Sequence, residues 1–354
     1  MCGRTFIVDE KNKIIHKLKI MVEVMLSNRE LRELNEDLLY AASIYSLNRV
    51  KELVAKGAEC KANYCGDTPL HYAAESGNLE KIRYFVEEKG CNIAAMNTIG
   101  GTPLHRAARH GPLEMVKYLI EKGADFSINI EHGITPFHEA VEGGNLDIVK
   151  YLMEKGFNLK ATENGSLTPV HSAASYNRLE ILKYLVEKGA NLNITNKGGY
   201  SALHDAAGQG HLKIVQYLAE NGTNLNANMW RGETPLYFAA ENGKLDVVKY
   251  LIEKGADFNV TDDCGCTCLH VAAMYGKLEV VKCLTEEGAN INTCNREGKT
   301  PTHLAAKEGH LDIVQYFVEK GADLKATSNN GKTPLDLATF AGCCSVVRYL
   351  KHVQ

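Results

Sequence analysis

The chain has no surplus of charge of either sign. Its 40 basic residues stand against 43 acidic ones, a net of −3, with no long block of one sign. Nucleic-acid binders normally carry a basic surplus, so no nucleic-acid partner is expected. Long apolar runs are also missing. The greasiest stretch, Ile14 to Leu26, is broken by Lys17, Lys19 and Glu23, so no integral membrane segment is expected. The opening residues, MCGRTFIVDEKNK, lack the uninterrupted apolar core of a secretory signal. There is no disulfide framework, because the 11 cysteines are odd in number and follow no pairing pattern. Free thiols without a signal point to a reducing compartment, so the expected location is cytoplasmic, in the protein's own cell or in one into which it is delivered. The sequons Asn193-Ile194-Thr195 and Asn259-Val260-Thr261 then belong to a repeat and not to glycosylation. Tryptophan is almost absent; Trp230 is the only one.

What is present is a beat. Gly57, Gly90, Gly123, Gly156, Gly189, Gly222, Gly255, Gly288 and Gly321 stand 33 residues apart, and one further step lands on Gln354. At 354 residues a length prior suggests two or three globular domains, but a fixed period of this kind requires stacked repeats.

Eleven or twelve residues past each glycine comes a helix start, as in Thr68-Pro69-Leu70-His71, Thr102-Pro103-Leu104-His105 and Thr135-Pro136-Phe137-His138. Threonine accepts from the orphan N–H groups of the first turn, and proline at the next position gives up a donor that had no partner. The phrase departs from its pattern at Ser201-Ala202, Tyr237, Cys268 and Asp336. A small pair follows, such as Ala73-Ala74 or Ala206-Ala207, which lets helices lie close. Next comes a turn residue, usually glycine and once Asn177, the next-best residue where φ must be positive. A second helix opens with leucine and usually an acid, as in Leu245-Asp246, and carries an apolar stripe through Val248, Leu251 and Ile252. Lysines such as Lys155 and Lys188 suit its C-terminal end, and the 33-spaced glycine ends it. A polar stretch with Gly-x-Thr reads as a hairpin-like turn into the next unit.

Thr-Pro-Leu-His-x-Ala-Ala, a turn glycine, an amphipathic second helix and Gly-Ala-Asp at this period resemble ankyrin repeats. The resemblance implies an all-α repeat solenoid, a stack of helix pairs with projecting β-hairpin loops. Ten repeats are expected over residues 35–354, the outer two degenerate because each has one face without a neighbour. Residues 1–34 are expected to form an N-terminal segment with an amphipathic helix, carrying Ile14, Ile15, Leu18, Met21, Val22, Met25 and Leu26 on one face. That helix caps the array or docks a partner or membrane surface.

Several residues imitate chemistry. Seven of the 13 histidines (His71, His105, His138, His171, His204, His270 and His303) occupy the Thr-Pro-Leu-His slot, where the family uses the imidazole to tie the hairpin to neighbouring backbone, so they are not read as ligands. Gly298-Lys299-Thr300 and Gly331-Lys332-Thr333 copy the tail of a phosphate loop but have Thr293 and Ala326 where its first glycine belongs. His138 to Glu142 has glutamate where a zinc protease needs its second histidine. Cys264, Cys266 and Cys268, with Cys294 on the next finger, lack the usual C-x₂-C spacing of zinc sites. No metal, cofactor or catalytic set is expected, and the chain is not read as an enzyme. Eight tyrosines recurring in the second helices, from Tyr84 to Tyr349, are framework with packed rings and wetted hydroxyls.

Function must then lie where the repeats differ. The resemblance places partners on a concave face of hairpin tips and first-helix positions. Those slots hold Tyr64, Tyr72, Glu75, Ile99, Arg106, Arg109, His132, Ile134, Glu139, Glu142 and Leu167 in the earlier repeats. Tyr176, Tyr200, Trp230, Arg231, Phe238, Met274 and Tyr275 crowd the middle with Asp205 and Glu233 among them, followed by Arg296, Lys299, Lys332 and Phe340. Trp, Tyr and Arg dominate interface energetics, so the seven middle residues are the candidate partner-binding set, unless their rings fold back to fill gaps. The expected function is a protein–protein interaction scaffold whose partner is another protein, with a monomer as the expected state. The alternative is a delivered effector or adaptor whose N-terminal helix engages a second partner or a membrane surface. Because Ser201-Ala202 and Thr267-Cys268 lack the proline, the helix starts there should open earlier in hydrogen exchange than those at Thr102-Pro103 and Thr135-Pro136. Equal protection at all four starts would contradict this.

Overall fold

The computed structural model describes residues 29–130, 133–157, 159 and 167–353. The chain divides into two units, Met1–Phe157 and Asn158–Gln354. In the first, residues 29–43 are helical and pair with Leu47–Ala55. Three more pairs follow: Pro69–Glu75 with Leu79–Arg83, Pro103–His110 with Leu113–Glu121, and Pro136–Gly143 with Leu146–Glu154. The helix over 29–43 runs straight across the boundary expected at residues 34 and 35. The apolar stripe from Ile14 to Leu26, and His132, lie outside the described residues.

Among its described residues the second unit holds six pairs. Their first helices are Pro169–Ser175, Ala202–Gln209, Pro235–Glu241, Cys268–Met274, Pro301–Glu308 and Pro334–Phe340, and their second helices run from Leu179–Glu187 to Cys344–Val353. Within each unit first helices pack on first helices and second on second. The alanine pairs sit in that seam, and Ala73, Ala74, Ala206, Ala207, Ala239 and Ala240 are fully buried.

The second helices up to Leu311–Glu319 close on the 33-spaced glycine. Gly255 has φ 88, its N–H bonds to Ile252 O at 2.9 Å, and Ala256 N–H reaches Leu251 O at 2.9 Å, the paired bonds of a Schellman turn. Asn177 takes the left-handed conformation expected of it, with φ 58. Lysine one residue before the glycine lies over the tyrosine a turn back, as Lys155 over Tyr151 at 5.4 Å and Lys254 over Tyr250 at 5.4 Å. The hydroxyls of Tyr250 and Tyr316 are not wetted, however; both are buried with no hydrogen-bond partner among the described residues.

The even period hides an insertion and a deletion that cancel. In the second pair the helix Leu79–Arg83 passes into a π-helical turn, Tyr84–Glu88, closed by Lys89 N–H to Tyr84 O at 3.2 Å. That wider turn absorbs one extra residue. The finger before it is one residue shorter, a two-residue turn in which Cys65 (φ 51) and Gly66 (φ 82) are both left-handed. The fingers after it are longer. Asn196 N–H bonds to Tyr200 O at 2.9 Å and Gly199 N–H to Asn196 O at 3.0 Å. Turn bonds of this kind, with no named strand among the described residues, close the fingers.

The histidines join one pair to the next. His71 Nδ1 accepts from Thr68 N–H at 3.0 Å, so the ring proton sits on Nε2, which donates to Gly101 O at 3.1 Å. The same bridge runs from His171 to Tyr200 O, His204 to Glu233 O, His270 to Lys299 O and His303 to Lys332 O, at 3.0–3.3 Å. Both nitrogens of these five rings are engaged, which leaves no lone pair for a metal. Asp336 keeps only the acceptor half, taking bonds from Thr333 N–H at 2.9 Å and Thr333 Oγ1 at 2.8 Å.

Burial holds these imidazoles neutral. It is the largest cause lowering His71, His171, His270 and His303, and it takes His105 and His204 down to about 4 from 6.5. With folded values below the unfolded one, the unfolded chain binds more protons on acidification. Stability from these rings is complete above 6.5 and is lost as pH falls towards about 4. Asp205, raised by burial to about 7, acts in the opposite sense, but it is one group against six. The urea midpoint should therefore drop between about pH 7 and about pH 5. An unchanged or rising midpoint would contradict the neutral-bridge account.

Candidate functional site

Trp230 and Arg231 form the tip of a finger closed by Met229 N–H to Glu233 O at 3.0 Å and Gly232 N–H to Met229 O at 2.8 Å. Gly232 is required there, since its φ is 82 and a Cβ would stand 2.8 Å from Thr261 O. Trp230 N–H bonds to Gly198 O on the preceding finger at 2.9 Å, and the indole lies beside Gly198. The side chain is still 72% exposed. The Arg231 guanidinium sits over the indole, 5.2 Å from its centroid.

Tyr200 and Phe238 fold back in part. The Tyr200 ring stacks on His204 at 5.4 Å and meets Phe238 edge-on at 5.7 Å, and both rings are half-buried. Tyr200 Oη donates to Asp205 Oδ1 at 3.2 Å, and burial drives both groups up, Asp205 to about 7. Tyr176 caps the end of Pro169–Ser175 and is exposed. Met274 ends Cys268–Met274 half-buried, and Tyr275 after it is exposed.

Four of the seven expected residues come together. Arg231, Phe238, Met274 and Tyr275 line a groove of about 500 Å³ that crosses three successive helix pairs. Tyr176, Tyr200 and Trp230 do not line it. Sequence reasoning missed much of the wall: Tyr237, Glu241, Asp262, Asp263, Val271, Glu297, Leu304 and Lys307. One signal was present, because Tyr237 replaces the bridging histidine. Its hydroxyl donates to Asp262 Oδ2 at 3.0 Å, and burial first, then the Asp262 charge, pushes it well above the usual tyrosine range. Tyr237 N–H still bonds to Thr234 Oγ1 at 3.2 Å, so the cap survives the exchange.

The earlier slots behave differently. Arg106 pairs with Asp67 at 2.9 Å, and Arg109 with Glu139 at 2.9 Å and Glu142 at 2.8 Å, so these charges serve neighbouring repeats. Tyr64 and Tyr72 join Tyr40 and Ile44 around a shallower cavity of about 560 Å³ in the first unit.

The cysteine string does not converge. Cys264 and Cys294 are exposed, Cys266 Sγ receives Asn295 Nδ2 at 3.4 Å, and Cys268 is buried at its helix start. Burial takes the Cys266 thiol up to about 11 and Cys268 up to about 12, away from the thiolate a metal needs. Among the described residues no group of three or more His, Cys, Asp or Glu is placed to hold a metal ion. Thr300 and Thr333, from the phosphate-loop look-alikes, cap the helices Pro301–Glu308 and Pro334–Phe340.

A family model described as ankyrin repeats (3 copies) matches residues 38–131, 126–196, 189–262 and 269–353. No curated protein matches the chain. Among the described residues no helix is long and apolar enough to cross a membrane.

As the only tryptophan, Trp230 reports on its finger alone. At 72% exposure its emission should lie close to that of free indole and be quenched readily by acrylamide. Blue-shifted, protected emission would mean that the ring is covered in solution.

Proposed function

The chain belongs to the ankyrin-repeat family, whose repeats are generally protein–protein interaction modules, and we propose that it is a non-catalytic scaffold gripping a protein partner on the groove face of the second unit. The observation that carries this reading is the convergence of Arg231, Phe238, Met274 and Tyr275 on one groove, beside the exposed Trp230. Large aromatic and arginine side chains at a groove are the residue types from which binding hot spots are built. Tyr176 and Tyr200 extend the same set toward the preceding repeats. The bridging histidines support a non-enzymatic role, since rings with both nitrogens bonded to backbone are poor general bases. A monomer, a cytoplasmic location and the absence of a nucleic-acid partner complete the proposal, and near-balanced charge with unpaired thiols favours the last two.

The test compares wild type with a Trp230→Ala/Phe238→Ala/Tyr275→Ala variant of unchanged circular dichroism in affinity capture from lysate. A partner held by wild type and lost by the variant is the expected outcome. A partner held equally by both would move the site off this face.

A further inference from the structure

The groove has an unequal charge balance that points to the chemistry of its occupant. Five carboxylates and three cations line it, and the cations are already engaged. Lys299 pairs with Glu297, Lys307 pairs with Glu308 at 2.8 Å, and Arg231 lies over Trp230. Among the acids, Asp262 is saturated: Oδ1 accepts from Cys264 N–H and Cys266 N–H, both at 2.8 Å, and Oδ2 from Tyr237. Glu241 is hydrogen-bonded to Tyr275.

Glu233 and Asp263 remain, on adjoining fingers joined by Asp263 N–H to Arg231 O at 2.7 Å. Asp263 is exposed. Glu233 is half-buried, and its Oε2 is fully buried with no hydrogen-bond partner among the described residues. A buried acceptor without a donor is costly; because Glu233 as a whole is only half-buried, rotation of its carboxylate presents that oxygen to a cationic donor arriving from outside, which relieves the cost with a charge-assisted bond. An anionic ligand would meet net negative charge at the same place. Phe238, Val271, Met274 and Leu304 supply apolar wall alongside.

We infer that the groove takes an extended protein segment presenting an arginine or lysine to Glu233 and Asp263, next to a large apolar side chain that packs on Phe238 and Met274. The inference rests on the reading of this groove as the protein-binding site. Extension follows from the shape, since the lining comes from three successive pairs and not from one enclosed pocket.

The experiment selects a random linear peptide library on the full-length protein. Labelled consensus peptides are then titrated against wild type, Glu233→Gln/Asp263→Asn and Phe238→Ala/Tyr275→Ala, all with unchanged circular dichroism. The expected result is enrichment of arginine or lysine beside a large apolar residue, with affinity falling about ten-fold or more in each variant. Peptides that are acidic or uncharged, lost on Phe238→Ala/Tyr275→Ala but unaffected by Glu233→Gln/Asp263→Asn, would overturn the cationic inference and leave the groove as a binding site. Absence of enrichment, or peptides bound equally by all three proteins, would overturn the groove reading and this inference with it.

Discussion

One neutral imidazole, held between the start of its own helix and the backbone of the next repeat, is the contact on which the architecture depends. In His204 the acceptor nitrogen takes Ser201 N–H at 3.1 Å, and this fixes the donor nitrogen toward Glu233 O at 3.3 Å. The bridge works in one tautomer and one charge state, because protonation would put a second hydrogen against an N–H donor. A buried histidine is therefore spent on registration between repeats. The same bond orients the finger that bears Glu233, so the surface available for binding is set by a framework contact several residues away.

Other donors serve the opposite end of the first helix, and they vary more. His211 Nε2 reaches Ser175 O at 2.9 Å and His310 Nε2 reaches Met274 O at 3.0 Å. In the first unit a lysine takes on that work. Lys81 is 2% exposed, and its Nζ donates to Ala41 O at 3.2 Å and Ala42 O at 2.9 Å, where the helix over 29–43 runs out of internal partners. The corresponding positions in the next pairs are the buried Met115 and Ile148. A cation is tolerated because the last carbonyls of a helix present partial negative charge, and burial lowers its pKa without removing those partners.

The fold was legible because its signals are local backbone chemistry. A glycine with φ 88 at Gly255 and a threonine capping the first turn at Thr300 act within a few residues of themselves. The compensating π-turn at Tyr84–Glu88 was not legible, since the glycine beat stays even across it and only the Thr68 to Thr102 spacing betrays it. The groove was half legible. Large residues at variable slots marked Phe238 and Tyr275, whereas Asp262, Asp263 and Glu297 sit at free finger positions where acids are ordinary. They become a charged wall only when stacking sets successive fingers side by side, a relation no single repeat encodes. The partial inward fold of Tyr200 was not legible, because the space beside His204 that draws its ring inward exists only after that stacking.

Tyr237 connects the framework to the site. At this slot a bridge from Nε2 to the next finger's backbone gives way to a bond from Oη to a side chain, Asp262 Oδ2 at 3.0 Å. The reach of a phenol is longer than that of an imidazole, so the tyrosine can hold a carboxylate where a histidine would hold a carbonyl. Asp262 in turn gathers the N–H groups of Cys264 and Cys266, which shapes its own finger from within. The first helix keeps its cap through Thr234, so the exchange leaves the local helix start intact. A framework position has thus become part of the groove wall, and this repeat, which like that of Asp336 departs from the histidine rule, is also the one from which Arg231, Glu233 and Phe238 project. A departure that preserves the cap but changes the bridge shapes the wall of one groove without disturbing the helix start beneath it.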